Sequence, residues 1–285
     1  MNEQQYSPLT NFKILTPVVK NLIIINALFY LANVSFNTAF GIDLTQILGL
    51  HYVKSEYFKP YQFVTHLFMH GSFGHLFFNM FALWMFGNIL ENVLGSQKFL
   101  LFYFVTGLGA AFLHSMVTVY DVVQLKAAAN AFYLSPTPES FINFIDFLKY
   151  HFPYALKNNN INDFIKQWTH NPYNNIYYIE EAIKFIEEGV TTMINVPTVG
   201  ASGAIFGLLL GFGMLFPNSY IYLYFFFPIK AKWFVLLYGV TEFMLGFSAR
   251  PGDNVAHFAH LGGMIFGFFM IKYWMRNKNK DIDYY

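Results

Sequence analysis

Cysteine is missing from all 285 residues of the chain, which excludes disulfide bonds and thiol catalysis. Charge is scarce as well: Asp, Glu, Lys and Arg make up 12% of the residues, about half the share found in soluble domains. The net charge of +1 provides no basic face for nucleic acid. Hydrophobic residues, by contrast, make up 55% of the sequence, and aromatic residues make up 21%. This composition indicates a chain whose solvent is largely lipid.

Apolar runs of membrane-spanning length explain this composition. A spanning helix needs about 20 mostly apolar residues. The first run follows the polar stretch Met1–Asn11 and is longer than the apolar region of a signal peptide, so we interpret it as an uncleaved span. We predict an all-α membrane protein with six transmembrane helices near Pro17–Ala32, His75–Leu94, Phe99–Val119, Gly200–Phe216, Ala231–Phe247 and Val255–Trp274.

The Lys and Arg residues of the short loops predict the orientation of these helices. On one side, the short loops contain Lys54, Lys59 and Arg250. The other side, which both termini share, has the larger set of Lys13, Lys20, Lys98, Lys230, Lys232, Lys272, Arg276, Lys278 and Lys280. We therefore expect both termini in the cytoplasm and the chain in the bacterial plasma membrane.

The stretch 120–198 between the third and fourth predicted spans is polar, rich in Asn and too charged to cross a membrane. Thr137 followed by Pro138 predicts a helix start, and two more amphipathic helices are predicted at Ile161–Trp168 and Tyr178–Glu188. Asn158–Asn160 separates the first two. We expect residues 1–285 to form a single domain with 120–198 as an extracytoplasmic helical insertion, either on the membrane surface or as a docking module.

Polar and ionisable groups inside spans are costly, so each is a candidate functional residue. His75 and Asn79 lie four residues apart and share one helix face. Both carry hydrogen-bond donors, and two donors that face a nucleophile suit an oxyanion hole. The candidates in the predicted spans are His75, Asn79, Ser202, Glu242, His257 and His260.

Ser202 opens the fourth span within the sequence Gly-Ala-Ser-Gly. Glycines recur every four residues after it, at 203, 207 and 211, and the sixth span has its own at 263 and 267. Such small-residue faces allow two helix backbones to approach closely. We therefore predict that these two spans touch and that Ser202 meets His260, a base able to accept the proton of its hydroxyl.

Other interpretations of these residues remain open. A serine at a helix start is most often a cap or part of a packing motif. His66, His70 and His75 suggest a metal site, but no His-Glu-x-x-His pattern accompanies them, and we expect neither a metal nor a cofactor. We interpret Glu242 as a paired structural residue. Asp253 lies in a loop near His260 and is not assigned a role.

Several of these motifs together resemble the rhomboid family. His66-Leu-Phe-Met-His-Gly-Ser-Phe-Gly-His75-Leu-Phe-Phe-Asn79 is similar to its second-span motif, and Gly-Ala-Ser202-Gly to its nucleophile motif. Ala-His260-Leu-Gly-Gly, followed by another glycine at 267, is similar to its catalytic-histidine motif. Glu91 and Gly95 match a structural element at the end of the second span. The motifs occur in the family's order and cover nearly the whole chain except the insertion.

The resemblance implies a rhomboid-like bundle of six helices that cleaves single-span transmembrane proteins in the lipid bilayer. It implies Ser202 as nucleophile, His260 as base, and His75 and Asn79 as oxyanion donors, assisted by the backbone N–H of Ser202. Two departures are Phe206, where many members have Tyr, and Tyr61-Gln62, where many have Trp-Arg.

Alternatives from other functional classes follow from the same residues. One is a catalytically silent relative that acts as a membrane chaperone or scaffold, although such relatives typically lack the serine or the histidine. A transporter would show two similar halves with broken helices, and the sequence has no such repeat. An aspartyl protease would need an Asp within a span, and none of the predicted spans contains one.

Overall fold

The computed structural model describes residues 13–151, 161–170, 175–223, 226–248 and 256–276, and these residues are mostly helical. A 3-10 turn at His66–Phe68 follows the helix Gln62–Thr65, and a π-helical turn at Leu83–Gly87 joins the helices Phe73–Ala82 and Asn88–Leu94. Strands β1 (Tyr220–Leu223) and β2 (Phe227–Lys230) form an antiparallel hairpin. The helices are α1 Pro17–Phe40, α2 Leu44–Leu48, α3 Gln62–Thr65, α4 Phe73–Ala82, α5 Asn88–Leu94, α6 Ser96–Leu134, α7 Pro138–His151, α8 Ile161–His170, α9 Asn175–Asn195, α10 Ser202–Leu215, α11 Ala231–Gly246 and α12 His257–Arg276.

The described parts of the predicted spans fall on helices, as expected for an all-α membrane protein, and Val255 at the start of the sixth lies outside the described residues. By length and composition, three helical stretches in the described part of the chain suffice to cross a membrane: Pro17–Phe40, Phe73–Leu94 and Ser96–Leu134. The later predicted spans form α10, α11 and α12, with 14, 16 and 20 residues. The count of six spans stays a prediction.

Helix α10 lies at the centre of the bundle, where it packs against α6 and α12. Residues 203–209 of α10 are all buried, as expected for a helix that is apolar on every face. The predicted contact of glycine faces is confirmed. A Cβ atom built on Gly263 would clash with the backbone of Gly203, and one on Gly267 would lie 3.2 Å from the carbonyl oxygen of Gly207. The two backbones therefore touch without side chains between them.

Glu91 joins three helix ends. Its carboxylate accepts hydrogen bonds from the backbone N–H groups of Val18 (3.1 Å) and Val19 (2.9 Å) at the start of α1. It also accepts one from the hydroxyl of Ser96, the first residue of α6, at 2.6 Å. The first N–H groups of a helix have no partner within the helix, so this buried carboxylate satisfies donors that are otherwise unpaired.

Three amphipathic helices follow α6, as predicted for the insertion. They pack against the far half of α6 around a second apolar core that contains Phe132, Phe144, Leu148, Trp168 and Ile186. Helix α6 itself continues to Leu134, beyond the predicted end of the third span at Val119, because Leu125, Ala129 and Phe132 are buried by these helices. Asn158–Asn160 lies outside the described residues. The extracytoplasmic position and the boundaries of the insertion stay predictions.

Candidate active site

Ser202 is the first residue of α10, immediately after a sharp bend of the backbone. Gly200 has φ of +125°, a conformation that other residues rarely adopt. Its N–H donates a 2.9 Å hydrogen bond to the carbonyl of His66, which fixes the bend against the loop before α4. Ser202 is partly exposed, and the N–H groups of the first helical turn beside it have no partner within the helix.

His260 meets Ser202 from the neighbouring helix α12. Its Nε2 atom lies 2.9 Å from the Ser202 hydroxyl oxygen, and its side chain is buried. Phe206, one turn after the serine, stacks on the imidazole with ring centroids 3.9 Å apart and planes 7° from parallel. Tyr238 of α11 stacks on the other face of Phe206. Phe206 thus keeps an aromatic support beneath the histidine, where many rhomboids have Tyr.

A carboxylate is hydrogen-bonded to the other nitrogen of the same imidazole. Glu242 of α11 is 5% exposed, and its Oε2 atom lies 2.9 Å from His260 Nδ1 and 2.6 Å from His257 Nδ1. The sequence indicated a paired Glu242 but not its partners. The three side chains offer ligand atoms within 4.8 Å of one another, and imidazole nitrogen and carboxylate oxygen are common zinc ligands. In the described geometry, the carboxylate oxygen is hydrogen-bonded to both imidazole rings.

The two predicted oxyanion donors lie on α4. The Ser72 hydroxyl caps this helix by accepting a 3.1 Å hydrogen bond from the backbone N–H of His75. The His75 ring lies against the serine loop: a Cβ atom on Gly200 would be 2.7 Å from its Cε1 and 2.8 Å from its Nε2. Asn79, one turn later, is buried, and its amide nitrogen has no hydrogen-bond partner among the described residues. The buried amide is therefore a donor without an acceptor.

A small cavity beside the serine is lined partly by polar groups. His66, His114, Thr198 and Ser202 line it, and His114 Nε2 lies 2.8 Å from the Thr198 hydroxyl oxygen. Sequence reasoning missed His114, although an ionisable residue inside the third predicted span is a signal that could have found it.

Gln62 organises the loop before α4. It belongs to the pair Tyr61-Gln62, which stands where the family pattern has Trp-Arg. Gln62 is 1% exposed. Its amide donates to the carbonyls of Ile47 (3.1 Å) and Tyr57 (2.9 Å), and its oxygen accepts from the N–H of Lys59 (3.1 Å). His66 Nδ1 donates to the Gln62 carbonyl at 2.8 Å. The loop is therefore anchored without the Trp-Arg pair. Asp253 lies outside the described residues.

Comparisons with known proteins identify the family to which the chain is similar. A family model described as Rhomboid domain matches residues 57–125 and 166–277, which is more than half of the chain. A curated relative is Rhomboid-like protein 11, chloroplastic, from Arabidopsis thaliana, with 32% identity over 109 residues. That alignment covers 38% of this chain and 39% of the relative, so the chain matches well under half of the relative's length.

Proposed function

The chain belongs to the rhomboid family, and on that basis we propose that it is an intramembrane serine endopeptidase that cleaves single-span transmembrane proteins. The observation that carries the proposal is the 2.9 Å contact between the Ser202 hydroxyl oxygen and Nε2 of His260. A serine is a weak nucleophile until a base takes its proton. This contact supplies the base at hydrogen-bond distance.

In the first half of the proposed reaction, the Ser202 oxygen attacks the scissile carbonyl and His260 Nε2 takes its proton. The developing oxyanion is held by His75, Asn79 and the backbone N–H of Ser202. Among the described residues the amide nitrogen of Asn79 has no hydrogen-bond partner, which supports this role, because a donor awaiting a transient acceptor has none in the resting state. His260 then gives its proton to the leaving amine as the tetrahedral intermediate collapses, and the acyl-enzyme remains on Ser202.

In the second half, His260 takes a proton from water, and the resulting hydroxide attacks the ester carbonyl. Collapse of this intermediate releases the new carboxyl end and returns the proton to the Ser202 oxygen. The cavity lined by His66, His114 and Thr198 lies beside the serine and is polar enough to hold water at this depth. No cofactor takes part in this scheme.

We propose that the substrate reaches the site from the lipid as a membrane helix that unwinds locally. Helix α11 presents large apolar side chains outward, including Leu237 and Phe243, as a lipid-facing helix does. With the hairpin β1–β2 before it, α11 is our candidate for the lateral gate. Helix-weakening residues near the cut, and a small residue before it, are the preferences that the family implies.

The orientation with both termini in the cytoplasm rests on the excess of Lys and Arg on that side. To test this orientation, a reporter that is active only in the cytoplasm is fused after the last helix. A fusion protein that is expressed normally but has an inactive reporter would contradict the predicted orientation. The bacterial plasma membrane stays a prediction, since the relative described above is a chloroplast protein.

The decisive experiment uses the full chain in detergent with a generic single-span substrate and a fluorophosphonate probe, in which the activated serine oxygen displaces fluoride. We expect the wild type to cleave and to be labelled, and Ser202→Ala and His260→Ala to do neither. Matched controls are Ser35→Ala on an exposed face of α1 and His170→Ala at the exposed end of α8, which we expect to keep full activity.

Two outcomes would contradict the proposal in different ways. Cleavage that persists in Ser202→Ala would remove the nucleophile. A folded wild type that neither cleaves nor takes up the probe would favour the alternative, a catalytically silent rhomboid-like chaperone or scaffold for membrane proteins.

A further inference from the structure

Glu242 is a buried carboxylate, and burying a charged group costs free energy. It lies in the last third of the apolar helix α11 and is 5% exposed, and a buried ionised group persists only with hydrogen-bonding partners. Its ion-pair partners in the described part of the chain are two histidines of α12, His257 and His260. They stand three residues apart, so both side chains leave α12 on the face that meets α11.

With Glu242 ionised, the contact with His260 assigns the proton of that ring to Nδ1. An ionised carboxylate only accepts hydrogen bonds, so the 2.9 Å contact places the proton on Nδ1 of His260. Nε2 is then the unprotonated nitrogen, and it is the atom 2.9 Å from the Ser202 hydroxyl oxygen. A neutral histidine can remove a proton from serine only in this tautomer.

We propose that Glu242 is a positioning residue for His260, so that the protein works with a Ser202–His260–Glu242 arrangement rather than a serine and a histidine alone. The inference rests on the proposed protease function. Glu242 holds the imidazole in the reactive tautomer and orientation, and its negative charge stabilises the imidazolium that forms when Ser202 attacks. His257 donates to the same Oε2 atom at 2.6 Å, which holds the carboxylate in place for His260.

The charged and titratable groups around this cluster come from several helices. Tyr238 lies one turn before Glu242 on α11 and interacts with it electrostatically, while His75 of α4 and His114 of α6 interact electrostatically with His260. Among these neighbours Glu242 is the one carboxylate in the described part of the site. It is therefore the group able to balance the positive charge that develops on His260 during attack.

The test compares Glu242→Gln, Glu242→Asp and wild type in the cleavage assay, well below the melting temperature of each protein. Gln keeps the size of the side chain but replaces the ionised acceptor by an amide that also donates. We expect Glu242→Gln to lower kcat by about 10²–10⁴-fold with KM within about threefold of wild type, since a substrate-binding change would act on KM. Glu242→Asp keeps the charge, so its kcat should be at least about tenfold higher than that of Glu242→Gln.

Matched controls separate this role from a purely structural one. Thr241→Ala, next to Glu242 on the exposed face of α11, removes a hydroxyl whose bond among the described residues stays within its own helix, to the Leu237 carbonyl at 2.9 Å, and should leave kcat unchanged. His257→Phe removes one donor but leaves the His260 contact, and should lower kcat less than Glu242→Gln does. Should Glu242→Gln fail to fold, Glu242→Asp alone decides, with a reduced kcat and an unchanged KM as the expected result.

Each contrary result would overturn the inference. A folded Glu242→Gln with kcat within threefold of wild type, equal kcat values for the Gln and Asp variants, or a change confined to KM would each do so. So would a stoichiometric metal ion in the purified protein whose removal abolishes activity, because it would assign these residues to a metal centre. A wild type that is inactive, with Ser202→Ala indistinguishable from it, would instead count against the proposed function.

Discussion

Gly263→Ala tests the backbone contact that holds the serine and the histidine together. A Cβ atom at this position would clash with the Gly203 carbonyl oxygen and would lie 2.7 Å from the Gly203 carbonyl carbon. Carbon atoms pack best at about 3.5–4.0 Å, and a backbone cannot move aside by changing a rotamer. Helices α10 and α12 must therefore separate by roughly 1 Å. Overpacking of this kind typically costs about 1–3 kcal/mol of stability.

The effect on activity should exceed the effect on stability. Ser202 precedes Gly203 by one residue and His260 precedes Gly263 by three, so the separation acts directly on the 2.9 Å contact between them. An increase of about 1 Å takes this contact beyond hydrogen-bond distance. A misplacement of about 1 Å costs on the order of 10²-fold in rate, and we expect kcat to fall by that factor.

The assay measures the melting temperature and kcat of Gly263→Ala beside a control with the same chemical change. Gly189→Ala in the interior of α9 is suitable, since within the described ranges its Cβ would meet a Leu148 methyl carbon at 3.7 Å and nothing closer. Ala there should raise stability by up to about 1 kcal/mol through helix propensity and leave kcat unchanged. If Gly263→Ala matches this control in both measurements, the two backbones do not touch as described and the reasoning fails.

Three further substitutions test other parts of the site. Asn79→Ala removes a proposed oxyanion donor and should lower kcat by about 10²–10³-fold with an unchanged melting temperature; a kcat near wild type would exclude Asn79 from that role. Phe206→Tyr keeps the ring stacked 3.9 Å from His260 and should preserve activity, whereas Phe206→Ala should lose both kcat and about 3–5 kcal/mol of stability; equal kcat values in the two variants would contradict this. Glu91→Gln weakens the acceptor for the start of α1 and should cost about 1–3 kcal/mol in thermal unfolding while kcat stays near wild type below the melting temperature; a loss of kcat without a loss of stability would refute its structural role.

The helices and the main candidates could be predicted from local pattern alone. Apolar runs identified the regions of α1, α4–α6 and α10–α12, because burial in lipid or in a helix bundle requires nearly continuous apolar sequence. Glycine spacing predicted the contact of α10 with α12, since only glycine permits such an approach of backbones. The end of α6 at Leu134 was not predicted, because it depends on burial against helices that come later in the chain.

The site was only partly predictable for the same reason. Ser202 and His260 were paired by their motifs, and the costly position of Glu242 marked it as needing a partner. Its assignment to His260 and His257, and the pairing of His114 with Thr198, join residues on different helices or in different loops. Contacts of that kind are set by the rotation and offset of packed helices, which no local sequence pattern records.

The sequence by itself therefore determined the lipid environment, the helical class, the family motifs and the candidate residues for catalysis, because each of these depends on composition or on spacing along one helix. The tertiary structure decided which nitrogen of His260 faces Ser202 and which faces Glu242. It also decided that Gln62 anchors the loop before α4 and that Phe206 supports the imidazole. These outcomes depend on distances of about 3–4 Å between distant parts of the chain, which exist only once the helices have packed.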